Sequence, residues 1–145
     1  MPIANFTVGH DVSVDIISGT TGQVISLPAN TGFTAEATTQ QIASRPLSGP
    51  PVFGEMPDGW SGTIDFDRTD IRIDAFFAAR EAAYYKGQNI INDAIVQTIR
   101  ERDGTITQYR FVNVALKFSQ GGQWKAQDKV AQNIAWKAST RVQVL

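Results

Sequence analysis

The stretch AIVQTIRERDGTITQYRFVNVALKF, residues 94–118, decides the fold class. Two strand-like runs, 94–102 and 105–118, flank Asp103-Gly104. Asp-Gly between such runs is a strong hairpin signal, because the turn needs residues that tolerate positive φ. The tip is polar, with Arg100, Glu101, Arg102, Thr105, Thr107 and Gln108, whereas the base is apolar. A two-residue turn and a turn with a glycine bulge both fit. They give opposite facing patterns, so the register stays open.

Outward from this hairpin the pattern is again β. The run VAQNIAWKASTRVQV, residues 130–144, puts Val130, Ile134, Trp136, Ala138, Val142 and Val144 on one face with Gln132 and Thr140. Asn133, Lys137, Ser139, Arg141 and Gln143 take the other face, the period of a half-buried strand. At ~3.3 Å per residue this strand is longer than most, so it either bends or reaches past the domain. Near the amino terminus, DVSVDIIS (11–18) alternates in the same way, GTTGQ (19–23) is a turn, and VISL (24–27) returns as a hairpin. FTAEATTQQIAS (33–44) has the threonines of a strand but is polar, with Thr34, Glu36, Thr38 and Gln40 on one face; a helix is the alternative there. SGTIDFD (61–67) sets Ile64 and Phe66 against Thr63, Asp65 and Asp67.

One segment changes period. IRIDAFFAAREAAYYK, residues 71–86, is alanine-rich and predicts the single helix. Thr69 or Asp70 is expected to cap it, Gly87 to end it, and Ile73, Phe76, Phe77 and Tyr84 to form its buried stripe. Together these elements predict a mainly β fold: an antiparallel β-sandwich or small barrel with one flanking α-helix. The 145 residues suit one domain, 1–145, long enough for its own core.

RPLSGPPVFGEMPDGW, residues 45–60, is punctuated by proline and glycine and is expected to be a loop. It nevertheless holds Leu47, Val52, Phe53, Met56 and Trp60. Either the loop folds back over its own core, or a neighbouring subunit covers it. Strands as long as those predicted here can also pair with strands of a neighbouring subunit and close a sheet into a ring.

The sequence offers no catalytic constellation. Counting a calcium loop from Asp65 puts Asp70 where glycine is required and Phe76 where the bidentate glutamate belongs. His10 is the lone histidine and reads as a turn residue. There is no cysteine, no G-x-S-x-G elbow, and no phosphate cradle in SGPPVFG. The expectation is a non-enzyme without cofactor or metal. A net charge of -1 gives no electrostatic case for nucleic acid or an anionic membrane. MPIANFTVGHD lacks the blocks of a signal peptide and no run reaches the length of a membrane span, so folding in a cytoplasm and no membrane insertion are expected.

In the order of its parts the chain resembles the tail tube proteins of tailed bacteriophages, especially those with contractile tails. The resemblance runs through the amino-terminal strand pair, the long loop, GWSGTIDFDR leading into a helix that ends YYKG, the hairpin around IRERDGTITQYRFVNVAL, and the final VAQNIAWKASTRVQV. It covers nearly the whole chain. Type VI secretion and pyocin tubes share the architecture. The resemblance implies a homo-oligomer: hexameric rings stacked into a hollow conduit for DNA ejection. Sheath, baseplate and tape-measure proteins would be its partners, and double-stranded DNA would pass without specific binding. The location would be the virion tail, with assembly in the host cytoplasm. Subunit-interface candidates are then Leu47, Val52, Phe53, Met56 and Trp60, with Arg100, Glu101 and Arg102 at the hairpin tip. Lumen-lining candidates are Asp11, Asp15, Glu36, Asp65 and Asp67 on wet strand faces, with Lys137 and Arg141 against a purely acidic bore. A tube initiator, a baseplate ring or a secretion-type tube subunit is the alternative. A monomeric β-barrel that binds a small ligand is the more remote one.

Overall fold

The computed structural model describes residues 4–27 and 29–145, apart from the side chain of His10. The strand pairs join into one antiparallel sheet, not closed, in the order β2-β1-β5-β6-β7-β4-β3, with β8 also on β6. The strands are β1 (Val12–Ile17), β2 (Val24–Ser26), β3 (Asn30–Ser44), β4 (Val52–Asp67), β5 (Asp93–Arg100), β6 (Ile106–Gln120), β7 (Ala131–Ala138) and β8 (Thr140–Gln143). Among the described residues a single α-helix, α1 (Arg72–Tyr85), follows β4. The polar 33–44 segment is therefore strand and not helix.

The hairpin at residues 94–118 forms with the glycine-bulge turn. Arg100 pairs with Ile106, the Glu101 amide bonds to Thr105, and Gly104 takes a φ of 88° that suits glycine. Asp103 Oδ1 accepts from the Thr105 hydroxyl at 2.6 Å and from the Thr105 amide at 3.0 Å.

β6 belongs to both halves of the sheet. Its first part lies between β5 and β8, and its second part pairs with β7. The change falls at Asn113, whose φ is 58°. There a bulge sets Val112 and Asn113 against Ala94, and the Asn113 amide nitrogen donates to Ser139 Oγ at 2.9 Å. Ser139 is also the break between β7 and β8. The long terminal strand thus bends, the first of the two alternatives its length left open. Beyond the bend Val142 and Val144 are exposed, which corrects their placement on the apolar face.

Folding the sheet at this line encloses Val14, Ile16 and Ile95 from one half with Ile64, Ile134 and Trp136 from the other. Phe111 fills the centre: its ring sits 4.7 Å from Trp136 and 6.1 Å from Phe33. Burying each such side chain stabilises by about 1.5–3 kcal/mol.

Helix α1 docks through its first turns. Ile73 is buried, and Phe77 stacks on Phe118 with centroids 4.9 Å apart. The backbone N-cap is Ile71, and Asp70 serves the helix by accepting the Arg72 amide at 3.0 Å. Gly87 has a φ of 81° just past the end. Tyr84 is exposed and does not share the buried stripe.

The largest correction concerns residues 45–60. Residues 45–51 are the loop at the tip, and Val52 begins the first half of β4, paired with β3 from Val52–Ser44 to Pro57–Thr39. The proline argument applies to central strands. β4 acquires its second neighbour, β7, only from Trp60 onward. Before that point it is one strand of a two-stranded ribbon with open edges, where proline is tolerated. Gly59, at φ 93°, marks the bulge at the base of the ribbon.

Candidate assembly interface

The ribbon formed by residues 39–57 leaves the body of the sheet, and its register sorts its side chains. Paired residues share a face. Met56 pairs with Gln40, Gly54 with Ile42 and Val52 with Ser44, so Ile42, Val52 and Met56 make one apolar stripe. Pro57–Thr39, Glu55–Gln41 and Phe53–Ala43 make the other face. On it the Thr39 hydroxyl donates to Glu55 at 2.8 Å, and the Arg45 guanidinium lies 5.8 Å from the Phe53 ring. Val52, Phe53, Met56 and Ile42 are all exposed, and Leu47 at the tip is 109% exposed. The loop does not fold back over its own core. Ile42, inside the polar 33–44 run, was missed from the sequence; its signal was one large apolar residue on an otherwise hydrophilic strand.

Trp60 has a different place. It is half-buried, meets Phe111 edge-on at 5.8 Å, and lies under Arg141 at 4.1 Å, with Tyr109 on Arg141 at 4.2 Å. Arg141 is thereby held in an aromatic clamp, the geometry of a cation–π pair. Arg100 and Arg102 are exposed, and Glu101 is half-buried and accepts the Thr107 hydroxyl at 2.8 Å. Strand directions put the 101–105 turn and the ribbon tip at the same end of the sheet, because β4 and β6 both run away from it against β7.

The acidic candidates separate. Asp11 is fully buried, and its Oδ2 accepts the Val8 amide at 2.9 Å, so it does not sit on a wet face. The physical reason is the short helical turn Gly9–Asp11, which ends the alternation before β1 begins. Asp15 is half-buried on β1, in the other half of the sheet. Asp67 is half-buried and paired with Lys129 at 3.3 Å. Glu36 and Asp65 do share one outer sheet face. Its cross-strand rows are Glu36–Ser61–Lys137–Ala115, Thr34–Thr63–Ala135–Lys117 and Gly32–Asp65–Asn133–Gln120. Asn133 donates to Asp65, and Thr34 and Thr63 hydroxyls bond at 2.9 Å. Asp67, two residues beyond Asp65 on β4 and paired with Ala131, lies on the same face, so three carboxylates, Glu36, Asp65 and Asp67, balance three ammonium groups, Lys117, Lys137 and Lys129.

At the other end of the sheet lies a feature with no local sequence signal. Arg80 of α1 forms a two-pronged ion pair with Asp93, at 2.6 and 2.7 Å. Asp93 also accepts the Gly19 amide at 2.8 Å, tying the β1–β2 turn to the helix. Among the described residues no cluster of histidine and carboxylate side chains is arranged to hold a metal ion.

The fold has close counterparts among solved structures. A chain from the cryo-EM structure of the anti-feeding prophage cap, its tube-terminating cap, superposes with a TM-score of 0.66 over 99% of this chain and 93% of its own, at 10% identity. A chain of the extended sheath–tube complex of the extracellular contractile injection system PVC gives 0.65 over 97% and 93%, at 12% identity. The SPP1 tail tube gives 0.62 over 94% and 78%, at 16% identity. The tail-tube fold expected from the order of parts is thus the fold of this chain. No protein-family model matches the sequence, and no curated protein matches it.

Proposed function

We propose that this chain is a structural tube subunit and not a catalyst. One observation carries the reading: a tube-type fold over nearly its full length presents an apolar two-stranded ribbon that the monomer leaves in water. A two-stranded ribbon is marginal by itself and gains stability when a partner covers it. Copies of the same chain are the partner, arranged as hexameric rings that stack into a hollow tube. Leu47, Val52, Phe53 and Met56 act in the contact between copies, with Arg100, Glu101 and Arg102 beside them. Trp60 supports them from the ribbon base. The tube lies in a phage-type tail, inside a sheath and on a baseplate, with a tape-measure protein in its bore during assembly in the host cytoplasm. Double-stranded DNA passes through and is not held. The balanced face around Glu36, Asp65, Lys117 and Lys137 supports that conduit role as a bore lining, because tight DNA binding needs many uncompensated cations.

The test is negative-stain electron microscopy with light scattering over a range of concentrations. Hollow stacked rings are expected, and shortening the ribbon to its base should leave a folded monomer. Normal tubes from the shortened chain would refute the interface. A monomer at every concentration, even with a tail-tip nucleus, would favour the ligand-binding alternative. A second reading, a terminal or initiating ring, draws on the likeness to the cap chain. Single rings that never stack would select it.

A further inference from the structure

At the end of the molecule opposite the ribbon, α1, the β1–β2 turn and segment 88–91 surround an open groove of about 550 Å³. Its apolar lining includes Val24, Ile71, Phe76, Ile90 and Ile91, and four of these five are exposed. The groove is held open before any partner arrives. The Arg80–Asp93 pair and the Gly19 amide fix its helix, its 88–92 segment and its turn against one another. A preformed groove binds with less ordering cost than one that must assemble.

We infer that this groove receives the ribbon tip of a second copy of the chain, Leu47 foremost. The inference rests on the reading that copies of this chain cover the ribbon, and adds where they do so. Three observations carry it. The tip projects an apolar side chain and the groove is an apolar concavity, so one fills the other. The arginines lining the groove, Arg72 and Arg80, are each paired with an aspartate of their own chain, Asp70 and Asp93, so the groove sets no uncompensated charge against an apolar tip. Finally, the two sites lie at opposite ends of β4, whose 16 residues run from the ribbon tip to the start of the helix region. At ~3.3 Å per residue that separation is about 50 Å, which prevents a chain from filling its own groove. A knob and a hole at opposite ends of one subunit make a heterologous contact that repeats along the strand axis. Such a contact stacks copies end to end.

The chain has no cysteine, so disulfide trapping is clean. Leu47→Cys and Ile90→Cys are made as separate proteins, mixed, and oxidised. A covalent heterodimer from the mixture, absent from either variant alone, is expected. Ile90→Asp and Val24→Asp should raise the concentration needed for assembly by roughly tenfold or more, since each places a charge in an apolar contact. Both sites are exposed, and unchanged circular dichroism will show that the fold survives. If Leu47→Asp blocks assembly while Ile90→Asp and Val24→Asp assemble normally and no heterodimer forms, the groove is not the receptor, and the tube reading stands. If the unmodified chain never assembles and no disulfide is trapped, both fall.

Discussion

The Asp93 carboxylate is 0% exposed and accepts from Arg80 and from the Gly19 amide at once. Arg80 is itself only 14% exposed. Removing one partner of such a buried pair leaves a charge without compensation, so Asp93→Ala should cost about 3–5 kcal/mol. Urea denaturation checks this, and a loss under 1 kcal/mol would mean water solvates the arginine. Gly59 is a second sensitive position. Its φ is 93°, and a Cβ there would sit 2.7 Å from the Ala138 carbonyl oxygen. Gly59→Ala should therefore cost about 1–3 kcal/mol in thermal stability and distort the ribbon base. Asp103 tests the sign of a titration. The Thr105 hydroxyl, and after it the Thr105 amide, hold its carboxyl below the ordinary aspartate range. A depressed folded pKa stabilises the turn above the unfolded pKa, and the effect is lost as pH falls through the folded one. NMR titration of the Asp103 carboxyl should show the low midpoint, and Thr105→Val should raise it.

At the scale of elements, the bend shared by β6 and β7–β8 governs how the sheet closes over its core. Asn113 holds a positive φ there, donates to Ser139 and accepts from Asn92. A β-branched residue is strongly disfavoured in that conformation, so Asn113→Val should destabilise by about 1–3 kcal/mol, and Asn113→Gly by less. Comparing their melting temperatures separates backbone strain from the lost hydrogen bonds. The same bend explains what the sequence hides. Alternation runs unbroken through residues 130–144, and the break at Ser139 is imposed by a bulge on another strand. The terminal valines therefore read as core and are not. Elements set by local chemistry were legible: the Asp-Gly hairpin, the β1–β2 pair and the alanine-rich helix. The helix stripe failed at Tyr84, which is exposed, because a helical period in the sequence continues whether or not a neighbour covers that turn. The ribbon failed because proline excludes a strand only where both edges are paired. Its apolar residues were legible all the same, and so was their mismatch with a solitary chain. The groove was not, since Val24, Ile71 and Ile90 come from three segments that only the fold brings together.

At the scale of the whole molecule, the charge balance predicts how a tube would behave. A bore lined by the face holding Glu36, Asp65, Lys117 and Lys137 should retain no duplex DNA after a wash at 50 mM salt, whereas a basic bore would hold it and release it steeply as salt rises. Co-sedimentation of assembled tubes with linear DNA measures this. The forces that would build such a tube are separable in the same way. Each chain has a net charge of -1, and both the ribbon and the groove expose large apolar side chains, among them Leu47, Val52 and Met56 on the one and Val24, Ile71 and Ile90 on the other. Long-range repulsion between copies would be small, and apolar burial would drive the proposed contact. Sodium chloride between about 50 and 500 mM should therefore change the assembly threshold little, because screening has little to screen. Warming from about 4 to 25 °C should lower the threshold, since apolar burial near room temperature is driven by entropy and weakens in the cold. Sulfate should lower it further, by exclusion from the apolar surface. Light scattering across that matrix of temperature and salt measures all three. A threshold that rises steeply with sodium chloride would instead assign the contact to charge, and would move the decisive residues from Leu47, Val52 and Met56 to Arg100, Glu101 and Arg102.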